Sequence, residues 1–152
     1  MRTGLRVLVL VPVVSGAVPG QLKNSLDRKL TDILSRMENK DAETRETAFN
    51  DLSNLCTERI HAAQHANGSG IEGYRNVLTT FLAQHPDEAE RVKTGLIGLL
   101  RTENNAIRVA RPGSKGADYG AYVFALTQTV STLKDDRAIP VLIEAISRSG
   151  VD

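Results

Sequence analysis

Apolar residues recurring at steps of three and four, from Leu22 nearly to the last residue, constrain this chain more than any other feature. Leu22, Leu26, Leu30, Ile33, Leu34 and Met37 fall on one stripe of a 3.6-residue helix. That helix is expected to end near Asn39. Asp41 is a good N-cap for a second helix, with Glu43 in its first turn and Ala48, Leu52, Leu55, Cys56 and Ala63 on its apolar face. Asn67-Gly68-Ser69-Gly70 then breaks the chain. A third helix carries Tyr74, Val77, Leu78, Phe81 and Leu82. Pro86 suits the first turn of a fourth, whose stripe is Val92, Leu96, Ile97, Leu99 and Leu100. Residues 102–117, with Arg111-Pro112-Gly113 among them, read as an irregular loop. A fifth helix holds Tyr122, Val123, Leu126, Val130 and Leu133. A sixth begins at Asp136 with Ile139, Leu142, Ile143 and Ile146 on its stripe. No strand pattern follows residue 20, so the expected class is all-α, about six helices in antiparallel pairs. A bundle and a solenoid both satisfy that list.

The first 20 residues read differently. Arg2 and Arg6 flank the start of an apolar run, Val7 to Val14, and Ser15, Gly16 and Ala17 follow. A charged segment, a short apolar core and small residues make an export signal, with cleavage expected after Ala17 and Gly20 as second choice. The run is too short to cross a bilayer, which takes about 20 residues. The chain is therefore expected to be exported, periplasmic or secreted, with residues 21–152 as its one folded domain. If the segment is not a signal, the chain is cytoplasmic.

Charge narrows the partners. The 152 residues carry 19 basic and 18 acidic side chains, a net +1. Loss of Arg2 and Arg6 with the leader would leave 17 against 18. No long run of one sign occurs and aromatics are only 4%, so neither electrostatic capture of nucleic acid nor base stacking is expected. Cys56 is the single cysteine, which excludes an intrachain disulfide and a multi-cysteine metal site.

Two segments resemble HEAT repeats, the armadillo-type α-solenoid family. Leu30 to Leu55, LTDILSRMENKDAETRETAFNDLSNL, has Asp41 at an inter-helix turn, Arg45 four residues on, then Ala48 and Leu52. Leu133 to Ile146, LKDDRAIPVLIEAI, with Asp136, Arg137 and Pro140, is similar to a bacterial HEAT-like form. Helical geometry puts Asp41, Arg45, Ala48 and Leu52 on one face: Asp41 to accept helix-start N–H groups, Arg45 to run along the seam between pairs, and Ala48 to permit close approach. Pro140 is tolerated near a helix start. The resemblance implies a non-enzymatic scaffold that binds a protein partner along a surface made by the second helix of each pair, with no cofactor and no metal. It also admits an accessory domain of a larger protein, including the lyase-like HEAT-repeat enzymes of phycobilisome assembly. Ending after the first helix of its last repeat, such a solenoid would expose a half-built C-terminal face, where a continuation, a partner or a second copy would dock.

Other candidates are weaker than the structural roles of the same residues. His61 and His65 share a helix face, but two histidines fall short of the four ligands of a structural metal site. Arg108, Arg111 and Lys115 decorate the 102–117 loop and are the best candidates for a partner contact. Cys56 lies on an apolar face, as a small buried hydrophobe does. Asn67-Gly68-Ser69 matches a glycosylation acceptor, relevant only in a eukaryotic secretory setting. A catalytic pocket would have to gather His61, Tyr74 or Tyr122 with carboxylates. No catalytic residue is expected.

Overall fold

The computed structural model describes residues 19–67, 77–109 and 117–149, with side chains at 25–60, 77–109 and 119–147. Among these residues the chain is helical, without strands: α1 Pro19–Met37, α2 Ala42–Asn67, α3 Val77–Gln84, α4 Pro86–Val109, α5 Ala117–Ser131 and α6 Ile139–Ser149, the last entered through a single 3-10 turn at Asp136–Ala138. The signal-like residues 1–18, Tyr74, the Gly68–Gly70 break and the residues around Arg111 and Lys115 lie outside the described set. So do the side chains of His61, His65 and Asn67 on α2.

Helix ends follow local chemistry. Asp41 caps α2, its carboxylate accepting the Thr44 N–H at 2.8 Å and the Thr44 hydroxyl at 2.7 Å. Those bonds hold the Asp41 carboxyl below the usual carboxylate range. Pro86 opens α4 where its missing N–H costs nothing, and Asp87 and Glu88 sit in that first turn. After α5 the chain reverses through Lys134, whose φ of 50° is the left-handed conformation that lets a helix stop.

Helix α4 is the organising element: α1, α3, α5 and α6 all pack against it, while α2 packs on α1 and α3. The expected stripes of α1 (Leu26, Leu30, Ile33, Met37), α2 (Ala48, Leu52, Leu55, Cys56) and α4 (Val92, Leu96, Ile97, Leu99, Leu100) are buried together with Phe81, Tyr122, Leu126 and Val130. Close approach of α1 and α4 depends on Gly95. A Cβ there would stand 2.5 Å from Leu34 Cδ2, well inside contact distance.

Two expectations fail. The segment from Thr102 is not irregular: α4 runs unbroken to Val109, with Glu103 and Asn104 fully buried within it. Polar residues do not end a helix when the interior offers them partners, and here it does. Helix α6 also presents a different face from the one its periodicity suggests. Ala138 and Val141 enter the core and Leu142 and Ala145 pack partly against it, whereas Ile139, Ile143 and Ile146 are 51%, 60% and 65% exposed. Asp135 accepts the Arg137 N–H at 3.0 Å and sets the 3-10 turn that fixes the phase of α6. An eleven-residue helix with six apolar residues besides its proline has more apolar positions than one buried face can take.

Candidate functional site

Arg45 stands at the centre of the only fully buried ion pair among the described residues. Its Nε donates to Glu103 Oε1 at 2.6 Å and its Nη2 to Glu103 Oε2 at 3.0 Å, a two-pronged bond between α2 and α4. Nη1 donates to the carbonyls of Asn39 and Lys40 in the turn between α1 and α2. From α5 the hydroxyls of Tyr119 and Tyr122 both donate to the same Glu103 carboxylate. The hydrogen bonds that Arg45 donates to Glu103 hold its guanidinium more firmly charged than usual. Burial, with the adjacent carboxylate, pushes both tyrosine hydroxyls up. The network ties four chain segments together: the turn after α1, α2, α4 and α5. Asn104 performs a similar service one residue on, its amide donating to the Val141 carbonyl of α6 at 2.9 Å.

The surface above this joint is a groove between α1 and α4 with a volume of about 830 Å³. Thr31, Leu34 and Ser35 form its α1 wall. Arg91, Thr94, Gly98, Arg101 and Thr102 project from one face of α4, and Arg137 closes the rim. Arg91 ties the walls at one end by donating to Asp27 and to Thr31 Oγ1 at 2.7 Å. Gly98 leaves the floor open, since a Cβ built on it meets no atom within 4 Å. Arg137 bonds Asp135 and Glu90, which lowers both carboxyls, Asp135 to about 2. Arg101 is exposed and makes no ion pair with any described residue.

Of the residues the sequence points to, the structure brings together Asp41, Arg45, Ala48 and Leu52 at one joint, with Ala48 and Leu52 buried. Asp136 is exposed and starts the 3-10 turn, but the capping carboxylate is that of Asp135. Pro140 occupies the second position of α6, where it does not interrupt the helix. Arg108 is not on a loop: it sits exposed in the last turn of α4. Cys56 is buried and its thiol is pushed up to about 12 by desolvation, which suits a packing role. The expected surface ran along the second helix of each pair, α2, α4 and α6; of these α4 walls the groove, and α1 supplies the other wall. Glu103 is the functional residue that the sequence reading passes over. Its signal is phase, since Val92, Leu96, Leu99, Leu100 and Glu103 lie on one helical stripe, and a carboxylate in apolar register calls for a buried cation.

Among the described residues no set of three or more His, Cys, Asp and Glu side chains could hold a metal ion, and no helix is long and apolar enough to cross a membrane. No protein-family model, curated protein or solved structure matches the chain.

Proposed function

We propose that the chain is a HEAT-like α-solenoid acting as a binding scaffold, and that it holds an extended segment of a protein partner in the groove between α1 and α4. The carrying observation is the open floor at Gly98. A glycine inside a helix costs about 1 kcal/mol relative to alanine, and within the chain no neighbouring atom requires one at this position. The space it leaves runs beneath Arg101 and Arg137 and admits a passing backbone. The two-row order that stacked helix pairs produce is supported by α1 and α6 both lying on α4, and by Phe49 of α2 meeting Tyr122 of α5 at 5.8 Å. Recognition on such a surface is by shape and scattered polar contacts, without bond-making chemistry. In this reading the chain is exported after cleavage near Ala17, and every residue of the groove lies beyond that point.

The test is a Gly98→Leu variant, which fills the floor while improving helix propensity. Pull-down with wild-type and variant chains, read by mass spectrometry, is expected to retain a partner on the first and lose it on the second, with thermal stability undiminished. Equal retention by the two would overturn the groove as the binding site.

A further inference from the structure

The charged side chains lining the α1–α4 groove fall into two groups. Arg91, Glu90 and Arg137 already bond charges of the chain itself: Arg91 with Asp27, and Arg137 with Glu90 and Asp135. Arg101 on the α4 wall and Glu38 at the end of the α1 wall are exposed, and neither has an ion pair among the described residues. Contacts between the walls fix the height of these two. Helices α1 and α4 run side by side in the same direction. Arg91 donates to Thr31 Oγ1, a Cβ on Gly95 would meet Leu34 and Met37, and Arg45 joins Glu103 to the Asn39 and Lys40 carbonyls. Glu38 therefore comes level with the turn of α4 between Gly95 and Glu103, which carries Gly98 and Arg101. Two opposite charges stand on facing walls without bonding each other, and the open floor at Gly98 lies between them.

We infer that the groove selects an extended segment in which an acidic and a basic residue are neighbours, the acid bonding Arg101 and the base bonding Glu38. The inference rests on the reading of this groove as a peptide site and names the chemistry of what it holds. Strand geometry supplies the spacing. Successive side chains of an extended chain point to opposite sides. A segment lying along the floor thus turns one side chain to α4 and the next to α1. A guanidinium with open N–H groups takes a carboxylate on two prongs, and the Glu38 carboxylate accepts from a lysine or arginine in the same way. The other charges of the groove do not compete, since Asp27, Glu90 and Asp135 hold the remaining guanidiniums. A segment with two acids at these places would set a carboxylate against Glu38, and one with two bases would set a cation against Arg101. Like charges brought together cost more than an exposed pair gains, so the facing charges act by rejecting the wrong segment.

Selection from a phage-displayed library of random twelve-residue peptides on the immobilised full chain tests this, with Gly98→Leu as the counter-bait. Peptides that bind the wild type and not Gly98→Leu are expected to be enriched in an Asp or Glu beside a Lys or Arg. A synthetic copy of an enriched peptide, read by fluorescence anisotropy, should bind Arg101→Glu about tenfold or more weakly. Selection repeated on Arg101→Glu should exchange the acid for a second base, and on Glu38→Lys the base for a second acid. Both positions are exposed, so both variants should keep wild-type helicity by circular dichroism. Peptides that depend on Gly98 but carry no such pair overturn the inference and leave the groove standing. So do peptides that bind Arg101→Glu as well as the wild type. If no peptide depends on Gly98, the peptide groove itself fails and this inference with it.

Discussion

Arg45 and Arg137 each follow an aspartate that caps a helical turn, Asp41 before α2 and Asp135 before the 3-10 turn, and the structure gives them opposite lives. Arg45 is 3% exposed, and its partner, Glu103, comes from α4, 58 residues along the chain. Arg137 is exposed and pairs with Asp135, two residues away, and with Glu90 on the rim of the groove. The same guanidinium thus joins helices in one place and trims a surface in the other. Burial sets the difference. An ion pair in the interior must keep both partners because neither can return to water, whereas a surface pair exchanges its partner for solvent at little cost.

Breaking the interior pair should have the largest effect. Arg45→Ala leaves the Glu103 carboxylate buried without its cation and frees the Asn39 and Lys40 carbonyls, a loss of about 3–5 kcal/mol. Urea unfolding followed by circular dichroism reads it, and a midpoint near wild type would show that Glu103 reaches water. Replacing both partners, Arg45→Met with Glu103→Leu, removes the stranded charge and should recover a large part of that loss. Recovery stays incomplete because the Tyr119 and Tyr122 hydroxyls lose their acceptor. Tyr122→Phe isolates one of those donors and should cost about 0.5–1.5 kcal/mol, the ordinary worth of a buried hydrogen bond.

How much of this comparison the sequence discloses depends on whether the partner is near or far. Asp41 as a cap, the α1, α2 and α4 stripes and the place of Pro86 all follow from residues within one or two turns of each other, and the structure has them as read. Arg45 was legible as a residue of the seam, but its partner was not. Glu103 lies in Thr102-Glu103-Asn104-Asn105, a polar run that looks like a helix end, and only α2 and α5 packed around it make helix the better state. The exposed side of α6 was hidden for a related reason. Ile139, Ile143 and Ile146 have core-like spacing, and which of two apolar faces turns inward is decided by the Asp135-capped turn and by Asn104 gripping the Val141 carbonyl.

The surface half of the comparison sharpens at low pH and should give the smallest effect. Arg137 hydrogen bonds hold Asp135 down to about 2 from its ordinary 3.8, and they lower Glu90 as well. A carboxyl with a depressed folded-state pKa binds fewer protons folded than unfolded. Its stabilisation is therefore complete above the unfolded value and is lost as pH falls from about 4 towards 2. Arg137→Ala removes the largest cause for both groups. At neutral pH the variant should unfold close to wild type, and added salt should narrow what gap exists. Between pH 4 and 2 its stability should fall less steeply than that of the wild type. Asp41, lowered by Thr44, keeps its own contribution in both chains. Carboxyl titration by NMR checks the cause directly: Asp135 should move up towards 3.8 in the variant while Asp41 stays where it was. If Asp135 does not move, its depressed value comes from something other than the Arg137 side chain, such as the Arg137 N–H it caps or nearby Lys93. Arg137 would then be ornamental to the turn, and the two arginines would differ even more than their burial suggests.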